Sequence, residues 1–315
     1  MPKNGFSLPR LVAIAAFVIV ALPAFATSQR TFVASIGNDT NPCTIVAPCR
    51  GFSAAIAATL SNGEIIVLDS AGYGGVTINK PLSIIAPAGV YAGVSVFSGN
   101  DGITVSAGAT DRVVLRGITV NGQGGAYGIR VTSGGEIHIE DCTVANMQES
   151  GILVEGGSAV HIARTVVRSS FNSGVLVLPA AAVAITVTVA DSILTSNGNM
   201  GFWAITTAGG TLETAVTRVT SSANGSTGFR AEAIDAAGSV AMALVDSIST
   251  KNQLQGVAAG GMDTTVMVSG SSLVRNGGPD LYQSGAAVLR SAGNNALSGR
   301  GVADISGTVT THPLK

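Results

Sequence analysis

A Gly followed by an apolar residue opens a short alternating segment at Gly128-Ile129, Gly151-Ile152, Gly174-Val175, Gly201-Phe202, Gly228-Phe229 and Gly256-Val257. The successive spacings are 23, 23, 27, 27 and 28 residues. About half a period later comes a second such segment: Ile137-His138-Ile139, Val160-His161-Ile162, Val187-Thr188-Val189, Ala215-Val216-Thr217, Val240-Ala241-Met242 and Val266-Met267-Val268. Alternation with a period of two is strand patterning. A unit of this size, without a helix-period segment, cannot bury its apolar face alone. It can when each unit winds once around an axis and stacks on its neighbour. Equivalent strands then pair in parallel, about 4.8 Å apart.

The turns fit this winding. Asn recurs shortly before the next Gly at Asn197, Asn224, Asn252 and Asn276, and stacked identical amides hydrogen-bond to one another up a column. Gly beside it is expected to supply φ > 0 where the chain turns. Between Pro87 and Pro279 the only proline is Pro179, as continuous backbone ladders require. The pattern persists upstream in Glu64-Ile65-Ile66-Val67-Leu68, Gly75-Val76-Thr77-Ile78, Leu82-Ser83-Ile84-Ile85, Gly93-Val94-Ser95-Val96, Gly102-Ile103-Thr104-Val105 and Val113-Val114-Leu115. The expectation is an all-β parallel solenoid of roughly nine coils, a rod of about 45 Å at the spacing of paired strands.

The ends of such a rod need covering, because they expose unpaired edges and an apolar cross-section. Phe52 to Leu60 reads as a short N-terminal capping helix, with Phe52, Ile56, Ala57 and Leu60 on one face and Asn62-Gly63 ending it. The chain accordingly divides into a signal peptide (1–26), an entry strand, loop and capping helix (27–63), the β-helix (64–301) and a C-terminal cap or tail (302–315).

The signal peptide is read from Lys3 and Arg10, the apolar run Leu11 to Leu22, and Ala24-Phe25-Ala26 after Pro23. Twelve apolar residues are too few for a membrane span of roughly 20. A secreted or periplasmic protein cleaved near Ala26 is expected, with no membrane attachment after cleavage. Charged residues are only 11% of the chain and the formal net charge is −1, which argues against nucleic acid or acidic membranes as partners. In an oxidising compartment Cys43 and Cys49, in a loop bracketed by Pro42 and Pro48, are expected to be bonded to each other. Two free buried thiols are the alternative. Cys142 is left over and reads as a small buried hydrophobe.

The chain resembles a right-handed parallel β-helix protein of the pectate-lyase-like superfamily. The resemblance is carried by the coils and by the opening Thr31-Phe32-Val33-Ala34-Ser35-Ile36-Gly37-Asn38-Asp39 and Pro48-Cys49-Arg50-Gly51-Phe52-Ser53-Ala54-Ala55-Ile56. It implies the right hand of the helix. It does not fix an activity, since the superfamily includes lyases, hydrolases, epimerases and adhesins. The Asn-Thr-Asp string and adjacent Asp-Asp pair of family polygalacturonases do not occur here, so no catalytic residues carry over.

Three columns of side chains stand out. Asp141, Arg164, Asp191, Arg218 and Asp246 alternate in sign over five coils, an arrangement that controls register or, less simply, binds a ligand. Arg130, Leu153, Leu176, Trp203 and Arg230 follow the strand-opening Gly by two positions and point outward if their neighbours point inward. This stripe, extended by Leu178 and Ile205, is the candidate binding surface; a covering loop or a slip in alternation would remove it. His138 and His161 share a slot in adjacent coils with Glu140 beside them, a set suited to acid–base work or a metal. No third ligand is expected to stack with the pair, so no metal and no cofactor are expected.

The leading functional expectation is an exported, non-catalytic β-helix that binds a polysaccharide or other cell-surface component along one flank. The first alternative is a polysaccharide lyase, hydrolase or epimerase with a divergent site at His138, Glu140 and His161. The second is a structural spacer or adhesin-like protein that self-associates through the stripe.

Overall fold

The computed structural model describes residues 1–2, 27–299 and 303–312. The expected signal peptide lies outside the described residues. The chain winds as a parallel β-helix of about nine turns. Three sheets run along it: sheet A of 12 strands, sheet B of 10 and sheet C of 10. In each central coil the chain passes from C to A to B, as in Ile129–Ser133, Glu136–Glu140 and Thr143–Ala145. Among the described residues no helix is long and apolar enough to cross a membrane.

Alternation sets which side chains enter the core. In Glu136–Glu140, Ile137 and Ile139 are buried while Glu136, His138 and Glu140 face out. Stacking turns this into continuous columns, such as Leu115, Ile139, Ile162, Val189, Val216 and Leu244, each aligned with the next and each almost fully buried. Burying each such aliphatic side chain contributes about 1.5–3 kcal/mol. Phe202 and Phe229 stack in the same way inside sheet C.

The three-residue strands of sheet B complete the coil. The five from Thr143–Ala145 to Ile248–Thr250 are flanked by residues in the left-handed region: Asp141, Arg164, Asp191, Arg218 and Asp246 on entry, and Asn146, Ser169, Ser196, Ala223 and Lys251 on exit. This corrects the expected role of glycine. None of Gly128, Gly151, Gly174, Gly201, Gly228 and Gly256 has a left-handed φ, and neither do Gly198, Gly225 and Gly277 beside the asparagines. The strand-opening glycines are needed for close approach instead. A Cβ on Gly174 would lie 2.7 Å from the carbonyl oxygen of Gly201, and one on Gly228 would lie 2.7 Å from that of Gly256.

The asparagine column is buried and continuous. Nδ2 of Asn197, Asn224 and Asn252 donates to Oδ1 of the next Asn at 3.0, 2.9 and 3.0 Å. Each of those oxygens also accepts the backbone N–H of the preceding Asn.

At the N-terminal end the disulfide joins Cys43 to Cys49. Helix α1 spans Phe52–Ala58 and buries Phe52, Ala55, Ile56 and Ala58. It is shorter than the expected Phe52 to Leu60, and its buried face is different. At Thr59 the backbone is already extended, because Thr59 pairs with Ser28 and its hydroxyl bonds that of Thr31. Leu60 therefore belongs to the strand Thr59–Val67 and is exposed. Cys142 is buried and reduced, and burial pushes its thiol pKa up to about 12.

Candidate functional site

Sheet C carries the predicted stripe on its outer face. Arg130 aligns with Leu153, Leu153 with Leu176, Leu176 with Trp203, and Trp203 with Arg230. The register is as read, but the exposure is not. Leu153 and Leu176 are only 3% and 5% exposed and form a small cluster with Ile205, against which Tyr127, Leu178 and Trp203 pack. Strands Ile152–Val154 and Val175–Val177 are thus buried on both faces. This corrects the reading of the leucines as a contact surface: they are a second core outside the sheet. Trp203 remains partly exposed, and its buried Nε1 has no hydrogen-bond partner.

The two arginines at the ends of the stripe are already engaged. Arg130 donates through Nε to Glu155 at 2.6 Å and through Nη1 to Asp101 at 3.3 Å. Its guanidinium also lies over the ring of Tyr127, 5.6 Å from the centroid. Hydrogen bonds donated to Glu155, opposed by burial and aided by Asp101, hold Arg130 firmly protonated. Arg230 forms a bidentate pair with Glu232 at 2.9 and 2.7 Å.

Next to Arg130 the sheet opens into a cleft of about 690 Å³ that the sequence reading missed. Ser53, Ile56 and Ala57 of α1 form one wall. Thr77, Asn79, Lys80, Asn100, Asp101 and Thr104 supply most of the rest. The Lys80 ammonium donates to the Thr59 carbonyl, and burial pushes its pKa down. A signal for this cleft was present. Thr77 and Thr104 follow Gly75 and Gly102 by two positions and so occupy the slot of Arg130.

On sheet A, His138 and His161 are register partners with ring centroids 4.9 Å apart. Nε2 of His138 lies 2.8 Å from Oε1 of Glu136, and its Nδ1 lies 3.4 Å from Oε1 of Glu140. Nδ1 of His161 is 2.8 Å from the Thr188 hydroxyl. Burial, and then His138, push the His161 pKa down. Glu140 is not free for acid–base work. Its Oε2 accepts Nε and Nη2 of Arg116 at 3.0 and 2.7 Å and Nη2 of Arg164 at 3.3 Å. Burial pushes its carboxyl up, but Arg116, His138 and Arg164 outweigh this and hold it low. Among the described residues no third ligand stacks with the histidine pair, but one reaches it along the strand. Glu136, two residues before His138 on the same outward face, brings a donor atom within 4.8 Å of donors on both imidazoles.

The charge column lies in the turns between sheets A and B and resolves into two bidentate pairs. Arg164 grips Asp141 at 2.7 and 3.1 Å, and Arg218 grips Asp191 at 2.6 and 2.8 Å. Each arginine reaches back one coil to a single member of the column, and Arg164 also donates to Glu140 beside it.

The family model for the right-handed β-helix region matches residues 62–220. Among solved structures, the chain is similar to pectate lyase Pel9A, with a TM-score of 0.63 and 18% identity over 91% of this chain and 78% of that one. It is also similar to a rhamnogalacturonan lyase, with a TM-score of 0.55 and 11% identity over 90% of this chain and 87% of that one. At these identities the likeness is one of fold. A search of the curated proteins found no match.

Proposed function

The chain belongs to the right-handed β-helix family, and from that premise we propose that it is an exported, non-catalytic rod that binds a neutral glycan along sheet C. The observation that carries this reading is the polar cleft beside Tyr127. Its size suits an oligosaccharide segment. Asn79, Asn100, Thr77, Thr104 and Ser53 line it with amides and hydroxyls that both donate and accept, as sugar hydroxyls require. Asp101, which also lines the cleft, ties it to the stripe by accepting the backbone N–H of Tyr127.

Charge selects the class of sugar. Lys80 is spent on the Thr59 carbonyl, and Arg130 on Asp101 and Glu155. No free cation among these groups remains to meet a uronate, so a neutral glycan fits better than an acidic one. The two lyases of similar fold act on the polysaccharides their names state, and sugar binding by this chain is consistent with that company. Against the enzymatic alternative stands Glu140, clamped between Arg116 and Arg164. In this reading α1 closes the first coil and doubles as a wall of the cleft, and residues 1–26 direct export and are then cleaved off.

Calorimetric titration of the mature chain with matched neutral and uronate oligosaccharides tests the proposal. Saturable binding of a neutral member, weakened by Asn100→Ala in the cleft lining, is expected. Binding of uronates alone, or release of unsaturated sugars from any member, would contradict it.

A further inference from the structure

We propose that Glu136, His138 and His161 form a binding site for a divalent transition-metal ion of the zinc class on the outer face of sheet A. Two imidazoles and a carboxylate are a zinc-type donor set, with the remaining position open to water. One donor atom from each of the three lies within 4.8 Å of the others. A tetrahedral zinc ion holds its nitrogen and oxygen donors about 3.3–3.5 Å apart, as follows from bonds of 2.0–2.2 Å. Rotation of outward side chains completes the set: the widest separation closes by about 1 Å, while the His138–Glu136 pair, now 2.8 Å apart, opens slightly.

The surroundings point the right nitrogens at the ion. His161 directs Nδ1 to the Thr188 hydroxyl at 2.8 Å, which leaves Nε2 for a metal. His138 turns Nε2 toward Glu136 at 2.8 Å and Nδ1 toward Glu140 at 3.4 Å. A metal-bound imidazole keeps its proton on the other nitrogen and commonly gives it to a carboxylate. Glu140 is placed to receive it and is itself held by Arg116 and Arg164. Glu140 is therefore a positioning residue. The histidines sit on paired strands of a continuous sheet, so their spacing is fixed by the backbone.

Arg112 is the group that opposes the ion. Its Nη2 lies 3.4 Å from Nε2 of His138, and its Nε lies 3.5 Å from Oε2 of Glu136. This exposed side chain must swing off His138 when a metal binds, and its charge weakens the site.

The test is calorimetric titration of the chain, produced without a polyhistidine tag, with Zn²⁺ alone. One ion per chain is expected. His138→Ala and His161→Ala should each abolish saturable binding, while His312→Ala, the remaining histidine, should leave it unchanged. Glu140→Gln should weaken binding by about 10-fold or more, and Arg112→Gln should strengthen it. Glu136→Gln, at an exposed position, gives a second ligand variant if a histidine variant fails to fold. Absence of saturable binding, or an unchanged Kd in Glu136→Gln and His161→Ala, would overturn the assignment. The site lies on sheet A and the glycan cleft on sheet C, so either can fail without the other.

Discussion

The side-chain amide of Asn224 donates to Oδ1 of Asn252 at 2.9 Å, across 28 positions of sequence and one turn of the helix. Both residues are buried. Asn224 also accepts the backbone N–H and Nδ2 of Asn197 through its own Oδ1. It is therefore a link in a column, and no neighbour can replace it.

Asn224→Ala leaves the buried Asn197 donors and Asn252 Oδ1 without these partners. At about 1–3 kcal/mol for a buried unsatisfied group, a loss of about 2–4 kcal/mol is expected. Asn199, whose Nδ2 donates to Asn172 at 3.1 Å in a part-buried setting, should cost no more than about 1 kcal/mol when replaced by Ala. Denaturant midpoints for the two variants check the contrast.

The two ion pairs predict an acid limb. Hydrogen bonds from Arg164 hold the Asp141 carboxyl below its ordinary value of 3.8, and Arg218 does the same for Asp191. A depressed carboxylate stabilises the fold above its unfolded pKa, and that contribution is lost as pH falls through the lower folded value. Melting temperature should therefore drop as pH falls below 3.8. The drop should be shallower in the Arg164→Ala, Arg218→Ala double variant. An identical acid limb in both proteins would rule out the pairs as its source.

The cysteines give a paired prediction. Opening the short Cys43–Cys49 loop by double replacement with Ala should cost about 2–3 kcal/mol by the chain-entropy relation. Cys142, buried with its pKa raised to about 12, should resist alkylation until the chain unfolds. Rapid labelling under native conditions would show that the coil around it opens locally.

The sequence made some of these features legible and hid others for physical reasons. The Gly-led repeat, the asparagine column and the histidine pair are all set by backbone register, which a fixed period reveals directly. Exposure is not set by period. Leu153 and Leu176 sit in the predicted slot, yet they are buried by Tyr127, Leu178 and Trp203, and lateral packing of that kind leaves no periodic trace. The turn glycines misled because close approach and left-handed backbone both favour Gly, and only geometry separates the two. The cleft was missed because Thr77 and Thr104 are chemically plain. Glu136 was hidden because it reaches the histidines along its own strand, where no stacked column marks it.

Neutral oligosaccharides of increasing length, titrated while the emission of Trp203 is followed, test the central claim most directly. Trp203 is the only tryptophan and lies four strands from Thr104 on sheet C, roughly 19 Å away at the spacing of paired strands. Short oligosaccharides should bind without moving the emission, longer ones should shift it, and Thr104→Arg, which fills the cleft, should abolish both. Binding that is equally tight in Thr104→Arg, or no saturable binding at any length, would contradict a glycan site on sheet C.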